Sequence, residues 1–390
     1  LPPGPNWFDL TCCMNPCVHV VDGEYWMYYA GADAHGFKRI CLATAPLDDV
    51  SPTAWKRHGP VMDKGPAGSY DACWNVIPNV IRLGPSEWRL YFTANSGVGA
   101  GLSSFPGMGV AFSSDGKSFT KYDGNPIIGA TKRPGDPDRE GMGGGSVLRV
   151  RLPDGGTEWR WYYTACPTIG DDYFLHQQKF CALAVSQDGL TWERRGAVMA
   201  RDWLRDYVDV ATATPVVEQL ADGSYRMWYS AIGTRWGFYC VGYAESPDGL
   251  TWHRGPSYGD DLQLGPTGSG WERQMVEYPS VVREGRRLRL FYTGNGYGGT
   301  GIGTALASAL RVTPRAGAAV LRLCAEETGS AWTLRLPEGL GCREGLFKSH
   351  SVPSEQIWHG PDATGQYWHE WRSNPADLAL LEAQEAKRQL

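Results

Sequence analysis

The chain has 390 residues, with 37 basic against 42 acidic side chains for a formal net charge of −5, and it is 42% hydrophobic and 20% charged. That balance describes a globular chain with a sizeable core and argues against disorder and against nucleic acid as the main partner. Its apolar runs are strand-sized, far short of the ~20 residues of a membrane span, while 50 Gly, 26 Pro, 17 Trp, 19 Tyr and 11 Phe predict many turns and aromatic strands, hence an all-β fold.

The opening residues, Leu1-Pro2-Pro3-Gly4-Pro5, carry no apolar signal region, and the absence of an initiator Met leaves a removed targeting segment open. Next come Cys12 and Cys13, adjacent in sequence. Cys41, Cys181 and Cys240 lie inside apolar strand patterns. Most of the ten cysteines therefore read as free, buried thiols, which favours a reducing compartment such as the cytoplasm. Cys12-Cys13 and Cys17 have no second Cys/His pair at zinc-finger spacing, so no metal is expected there.

Repeats organise the chain. An aromatic strand recurs as Tyr25–Tyr29, Trp88–Phe92, Trp159–Tyr163, Tyr225–Tyr229 and Leu288–Tyr292, at intervals of 63 to 71 residues. About a dozen residues ahead of each lies another strand, starting at Pro16, Pro78, Ser146, Pro215 and Pro279. A glycine-rich loop and a third strand follow each aromatic strand. In three repeats that strand ends in a hairpin, Ser114–Phe119, Gln187–Trp192 and Pro247–Trp252, where Asp-Gly supplies the positive φ of a tight turn. The first repeat has a looser version ending at Trp55. Four antiparallel strands repeated five times predict a five-bladed β-propeller over residues 1–310. Residues 311–390 break the pattern: two strand-like runs, a His- and Trp-rich loop, then Asn374-Pro375 opening a helix over Ala376–Leu390. This C-terminal extension is expected to pack on the propeller or on a partner, with self-association as one outcome.

An acid stands six or seven residues ahead of each first strand: Asp9, Asp71, Glu140, Asp209 and Glu272. In an antiparallel meander the start of the first strand and the second-to-third-strand loop share one end of the blade. The five acids are therefore expected to converge on one mouth of the central funnel. The loops there bring His35, Asn95, Asp171, Asp172, His176, Arg235, Trp236, Asn295 and Tyr297, and Asp138 and Glu277 join the substrate-facing set. Polar groups beside aromatic faces suit a sugar, whose hydroxyls need hydrogen bonds and whose C–H faces stack on rings. A repeated acid also has a structural reading, as an anchor for a neighbouring blade's backbone. The glycine-rich runs Gly97–Gly101 and Gly296–Gly303 lead into strands, not helices, which argues against nucleotide binding.

On these residues the sequence resembles the five-bladed propeller glycosidases, the superfamily of arabinanases and β-xylosidases, invertases and levansucrases. Asn15-Pro16-x-Val18, Tyr25-x-Met27-Tyr28-Tyr29 and the Asp-Gly-Leu-Thr-Trp hairpins carry the likeness over residues 6–305. The resemblance implies carboxylates in the first, third and fourth blades acting as base or nucleophile, pKa modulator and general acid. Blade by blade these fall on Asp9, Glu140 and Asp209. The first agrees in type with the family's Asp, Asp, Glu order and the other two are reversed; Asp136 and Asp138 are alternatives in the third blade. The expected function is that of a glycosidase-like hydrolase acting on a glycoside or a small sugar-like molecule. The alternatives are a non-catalytic propeller binding a carbohydrate or a protein, and a propeller diverted to another reaction. No cofactor is expected, with Ca²⁺ in the acidic ring as a lesser alternative.

Overall fold

The computed structural model describes residues 1–97, 107–167, 179–255, 261–285 and 287–308, and beyond them the backbone of four strands at 319–325, 330–336, 356–359 and 368–371. The expected helix over 376–390 lies outside the described residues. Two compact units result, 1–282 with 290–304 and 283–289 with 305–390.

The first unit is a succession of antiparallel meanders. The first holds β1 (Cys12–Val21), β2 (Glu24–Ala32), β3 (Lys38–Pro46) and β4 (Lys56–Met62). The second holds β5 (Trp74–Gly84), β6 (Glu87–Asn95), β7 (Gly107–Ser113) and the short β8 (Thr120–Lys121) and β9 (Ile128–Gly129). A third comprises β10 (Gly141–Arg151), β11 (Thr157–Cys166), β12 (Phe180–Ser186) and β13 (Glu193–Met199), and a fourth β14 (Ala211–Gln219), β15 (Tyr225–Ile232), β16 (Tyr239–Ser246) and β17 (Leu262–Leu264). The last sheet is three-stranded, β18 (Glu277–Glu284), β19 (Arg287–Thr293) and β20 (Ile302–Ser308). Leu1 adds to β20: its nitrogen donates to the Ile302 carbonyl at 2.6 Å and the Ile302 N–H donates back at 3.0 Å. In the second unit, β21 (Ala319–Ala325), β22 (Ser330–Leu336), β23 (Gln356–His359) and β24 (Trp368–Trp371) form a sheet of their own.

The first strands of all five meanders surround one narrow cavity of about 50 Å³, lined by Asn15, Ile77, Gly145, Thr214, Tyr278 and their neighbours. This is the propeller axis. Such a throat holds a water or two and no sugar ring. At the same height each first strand deforms. Register breaks occur at Met14/Cys17, Val76/Asn79, Gly143/Ser146 and Ala213/Val216. Asn15, Ile77, Thr214 and Tyr278 take positive φ of 45–56°, which β-branched Ile and Thr rarely tolerate.

A hydroxyl of the preceding blade fixes most of these bulges. The N–H groups of Gly144, Thr214 and Tyr278 donate to Thr93 Oγ1, Thr164 Oγ1 and Ser230 Oγ, and that of Asn15 donates to Thr293 Oγ1 at 3.1 Å. These hydroxyls are the small residues that end the aromatic strands. Where the first blade has Ala30 instead, the Asn15 side chain substitutes, accepting from Ile77 N–H at 3.4 Å. The circle of meanders is thus closed by hydrogen bonds as well as by packing. Around it lie aromatic cores such as Tyr28, Trp26 and Trp88 in one cluster and Tyr162, Tyr207 and Tyr229 in another.

Candidate functional site

The acids ahead of the first strands take up positions different from those expected. Measured from the bulge, the residue six places earlier is Asp9, Asp71, Asp138, Val208 and Glu272 in the successive meanders. Each of the four acids turns into its own blade, away from the axial cavity. Asp9 is fully buried, accepts from Tyr29 Oη at 2.9 Å and pairs with Arg57 Nε of β4 at 3.1 Å. Asp138 repeats this with Tyr163 Oη at 3.1 Å and Arg194 Nε of β13 at 2.6 Å. Asp71 is held by Lys121 of β8, Ser69 and Asn75, and Glu272 by Tyr292 Oη at 2.7 Å. In the fourth blade, where Val208 leaves no acid, Asp261 fills the role beside Tyr207, Arg205 and Arg254. These are intrablade staples joining the loop to the second and outermost strands.

Glu140 and Asp209 stand outside this set. Glu140 is partly exposed against Lys132 and Arg139. Asp209 caps its neighbouring loop, accepting Thr234 N–H at 2.8 Å and Thr234 Oγ1 at 2.7 Å. Of the three expected catalytic acids, Asp9 is held in a buried triad, and Glu140 and Asp209 are engaged in local contacts. Among the described residues no group of three or more His, Cys, Asp or Glu could hold a metal ion. Of the loop residues, His35 is exposed on the turn capped by Asp33, and Asn95 accepts from Gly97 N–H at 2.8 Å. Arg235 is exposed and lies over the Trp236 ring, which covers Gly265. Asn295 Oδ1 ties down the Gln274 and Met275 N–H groups at 2.7 and 3.2 Å. Asp171, Asp172 and His176 lie outside the described residues.

Glu277 and Asp261 are both buried with neither carboxylate oxygen in a hydrogen bond of normal geometry, but Asp261 is paired with Arg205 at 3.1 Å, whereas Glu277 begins β18 immediately before the bulge residue Tyr278, beside the axial cavity. Burial pushes its carboxyl well above the usual range, only partly offset by the Tyr278 hydroxyl and the positive charge of Lys179. The groups around it come from several blades. Lys179 Nζ meets Tyr239 Oη at 3.1 Å, and the Tyr239 ring lies 6.4 Å from Tyr278 and 6.3 Å from Tyr297. Tyr297 has positive φ, and its carbonyl accepts from Cys12 Sγ at 3.0 Å. Cys12 pairs across with Ala32, Ala32 with Lys38, and Lys38 with Trp74, one continuous row across the first blade into the second. Tyr278, Tyr297, Trp74 and Lys38 are half-exposed; Glu277, Lys179, Tyr239 and Cys12 are buried beneath them. Half-buried Tyr278 and Tyr297 thus lie close to a buried acid, and Lys38 and Trp74 continue the row from Cys12. Lys179, Tyr239 and Trp74 carried no sequence signal, because a lone Lys or Tyr opening a third strand resembles any strand end.

Solved structures share this architecture. A protein described as a glycoside hydrolase matches with a TM-score of 0.61 at 16% identity, over 81% of this chain and 91% of its own. A glycosyl hydrolase from Bacteroides ovatus gives 0.56 at 16% identity over 78% and 86%, and a thermostable family-43 glycoside hydrolase 0.54 at 16% over 86% and 96%. The fold is therefore that of the propeller glycosidases. No family model matches the sequence. Two proteins of Mycobacterium tuberculosis, Uncharacterized protein Rv1502 (strain H37Rv) and Uncharacterized protein MT1551 (strain CDC 1551), are each 30% identical over 297 residues, 75% of this chain and 91% of theirs. The chain belongs to the family of these mycobacterial proteins. No helix among the described residues is long and apolar enough to cross a membrane.

Proposed function

We propose that the chain is a glycoside-acting enzyme whose proton donor is Glu277. The observation that carries this is the buried carboxyl beside the axial throat, neither of its oxygens in a hydrogen bond of normal geometry, with the half-buried rings of Tyr278 and Tyr297 close by for a sugar ring to stack on. Cleavage of a glycoside needs an acid that is still protonated near neutral pH, and burial shifts the Glu277 carboxyl in that direction. It gives its proton to the departing glycosidic oxygen as the glycosidic bond breaks; water adds to the anomeric carbon, and the proton this water sheds returns to the Glu277 carboxylate. Tyr239, oriented by Lys179, presents a phenol oxygen to the positive charge that develops on the sugar ring; enzymes that use a tyrosine at this point are known. The propeller glycosidase fold supports the reading without fixing the substrate.

A panel of aryl-glycosides and oligosaccharides, assayed with the wild type and Glu277→Gln, tests it. Turnover should fall by about 10²–10⁴-fold in the variant, the usual contribution of a positioned general acid, while circular dichroism stays unchanged. Absence of turnover across the panel, or equal rates for the two proteins, overturns the assignment.

A further inference from the structure

We infer that the end of the propeller at which the first strands begin docks on an anionic lipid surface, with Trp203 and Leu204 as the principal contact and Trp7 and Leu10 as a second. This goes beyond the proposed function and does not depend on Glu277.

Among the described residues only two tryptophans are exposed, Trp7 at 59% and Trp203 at 71%, and each has an exposed leucine close by in sequence, Leu10 at 43% and Leu204 at 85%. Both pairs lie in segments that lead into first strands. Trp7 and Leu10 flank Asp9, while Trp203 and Leu204 stand five and four places ahead of Val208, which holds the corresponding position in the fourth meander. The first strands surround the axis and enter it from one end, so the two pairs belong to that end.

The turn bearing Trp203 and Leu204 is firmly held. The Leu204 N–H donates to Asp202 Oδ1 at 3.0 Å and the Asp202 N–H to the Val208 carbonyl at 3.1 Å, while Arg205 pairs with Asp202 at 2.6 Å and with Asp261 at 3.1 Å. Positive charge accompanies the exposed rings. The Arg201 guanidinium lies 3.7 Å from the centre of the Trp203 ring, and exposed Arg235, whose N–H donates to the Asp206 carbonyl at 2.9 Å, adds a second arginine on the adjoining loop. Neither arginine forms an ion pair among the described residues. Arg39, 5.0 Å from the centre of the Trp7 ring, is by contrast paired with Asp33 and Asp63, so the Trp7 segment offers apolar surface alone.

This chemistry fits a lipid surface better than a protein. Two Trp–Leu pairs expose roughly a few hundred Å², short of the ~800 Å² a side that a stable protein interface buries. A bilayer needs no complementary pocket. Leucine enters its apolar layer, the indole lies at the level of the headgroups, and the free arginines meet the phosphates.

Co-sedimentation of the full-length protein with vesicles tests this. The vesicles are phosphatidylcholine alone, or phosphatidylcholine with about 30% phosphatidylglycerol. The wild type should bind the mixed vesicles and favour them over the neutral ones, a preference that shrinks at high salt. Leu204→Ser and Trp203→Ala should each weaken binding by about tenfold, the worth of one large apolar side chain, and Trp7→Ala by about threefold. Arg201→Gln should cost about fivefold on the mixed vesicles alone. These side chains are exposed, so melting temperatures should stay unchanged. No binding to either vesicle, or undiminished binding by Leu204→Ser and Trp203→Ala, overturns the inference. Retention on polygalacturonate, or a dimer on gel filtration that Leu204→Ser abolishes, without vesicle binding, overturns it in favour of a glycan or a second copy.

Discussion

Asp9 and Glu277 are both completely buried carboxylates in one propeller, yet they are built to opposite ends. Asp9 receives a tyrosine hydroxyl and an arginine, so the blade supplies what water would have given. Glu277 has only the Tyr278 hydroxyl and the charge of Lys179, neither at normal hydrogen-bond geometry, and burial there raises its pKa with only partial compensation. The difference teaches that position at a blade's entrance does not make an acid functional. What matters is whether the fold has already answered its charge.

The largest effect expected from breaking this contrast is on the staple. Arg57→Met leaves Asp9 buried beside no cation and should lower unfolding free energy in urea by about 3–5 kcal/mol; a loss under about 1 kcal/mol would mean the triad is not structural. A smaller effect follows at the axis. Thr164→Val removes the acceptor for the Thr214 N–H and should cost about 1–3 kcal/mol, the penalty of an unsatisfied buried donor. No measurable change there would show that the bulge holds itself.

The mildest effect, and the sharpest, comes from Glu277→Gln, followed as stability against pH. The folded-state pKa is raised, so below the ordinary value of 4.5 both states are protonated and Glu277 contributes nothing. As pH rises above 4.5 the unfolded chain ionises more readily than the folded one, so the wild type loses stability that the Gln variant keeps. The two proteins should melt together near pH 4.5 and diverge toward about pH 8, the variant melting higher. Parallel curves would place Glu277 in the ordinary carboxylate range and remove the basis for a proton donor.

The architecture was readable in the sequence because strand periodicity, Asp-Gly turns and aromatic repeats are local signals, and Tyr25–Tyr29 or Gln187–Trp192 carry them unaided. The acids were harder. Glu140 and Asp209 stand one or two places beyond the residue that matters, Asp138 and Val208, because the bulge that sets the count is invisible in the letters; Gly143-Gly144-Gly145 in particular has no proline to mark it. Glu277 was visible as an acid directly ahead of Tyr278-Pro279, but its isolation depends on which side chains fold around it. Lys179 and Tyr239 are 98 and 38 residues away from it in sequence, and only the closed ring brings them together.

The hydroxyls behind the bulges have a further consequence for how this protein can change. Each blade's lip is set by a residue in the blade before it: Thr293 for Asn15, Thr93 for Gly144, Thr164 for Thr214, Ser230 for Tyr278. If the lip is the substrate site proposed above, the contour a ligand meets is inherited from side chains it never touches. A shift in specificity can begin one blade upstream, and a search for altered specificity that randomises only the rim leaves out Ser230, which holds the backbone of the tyrosine next to Glu277.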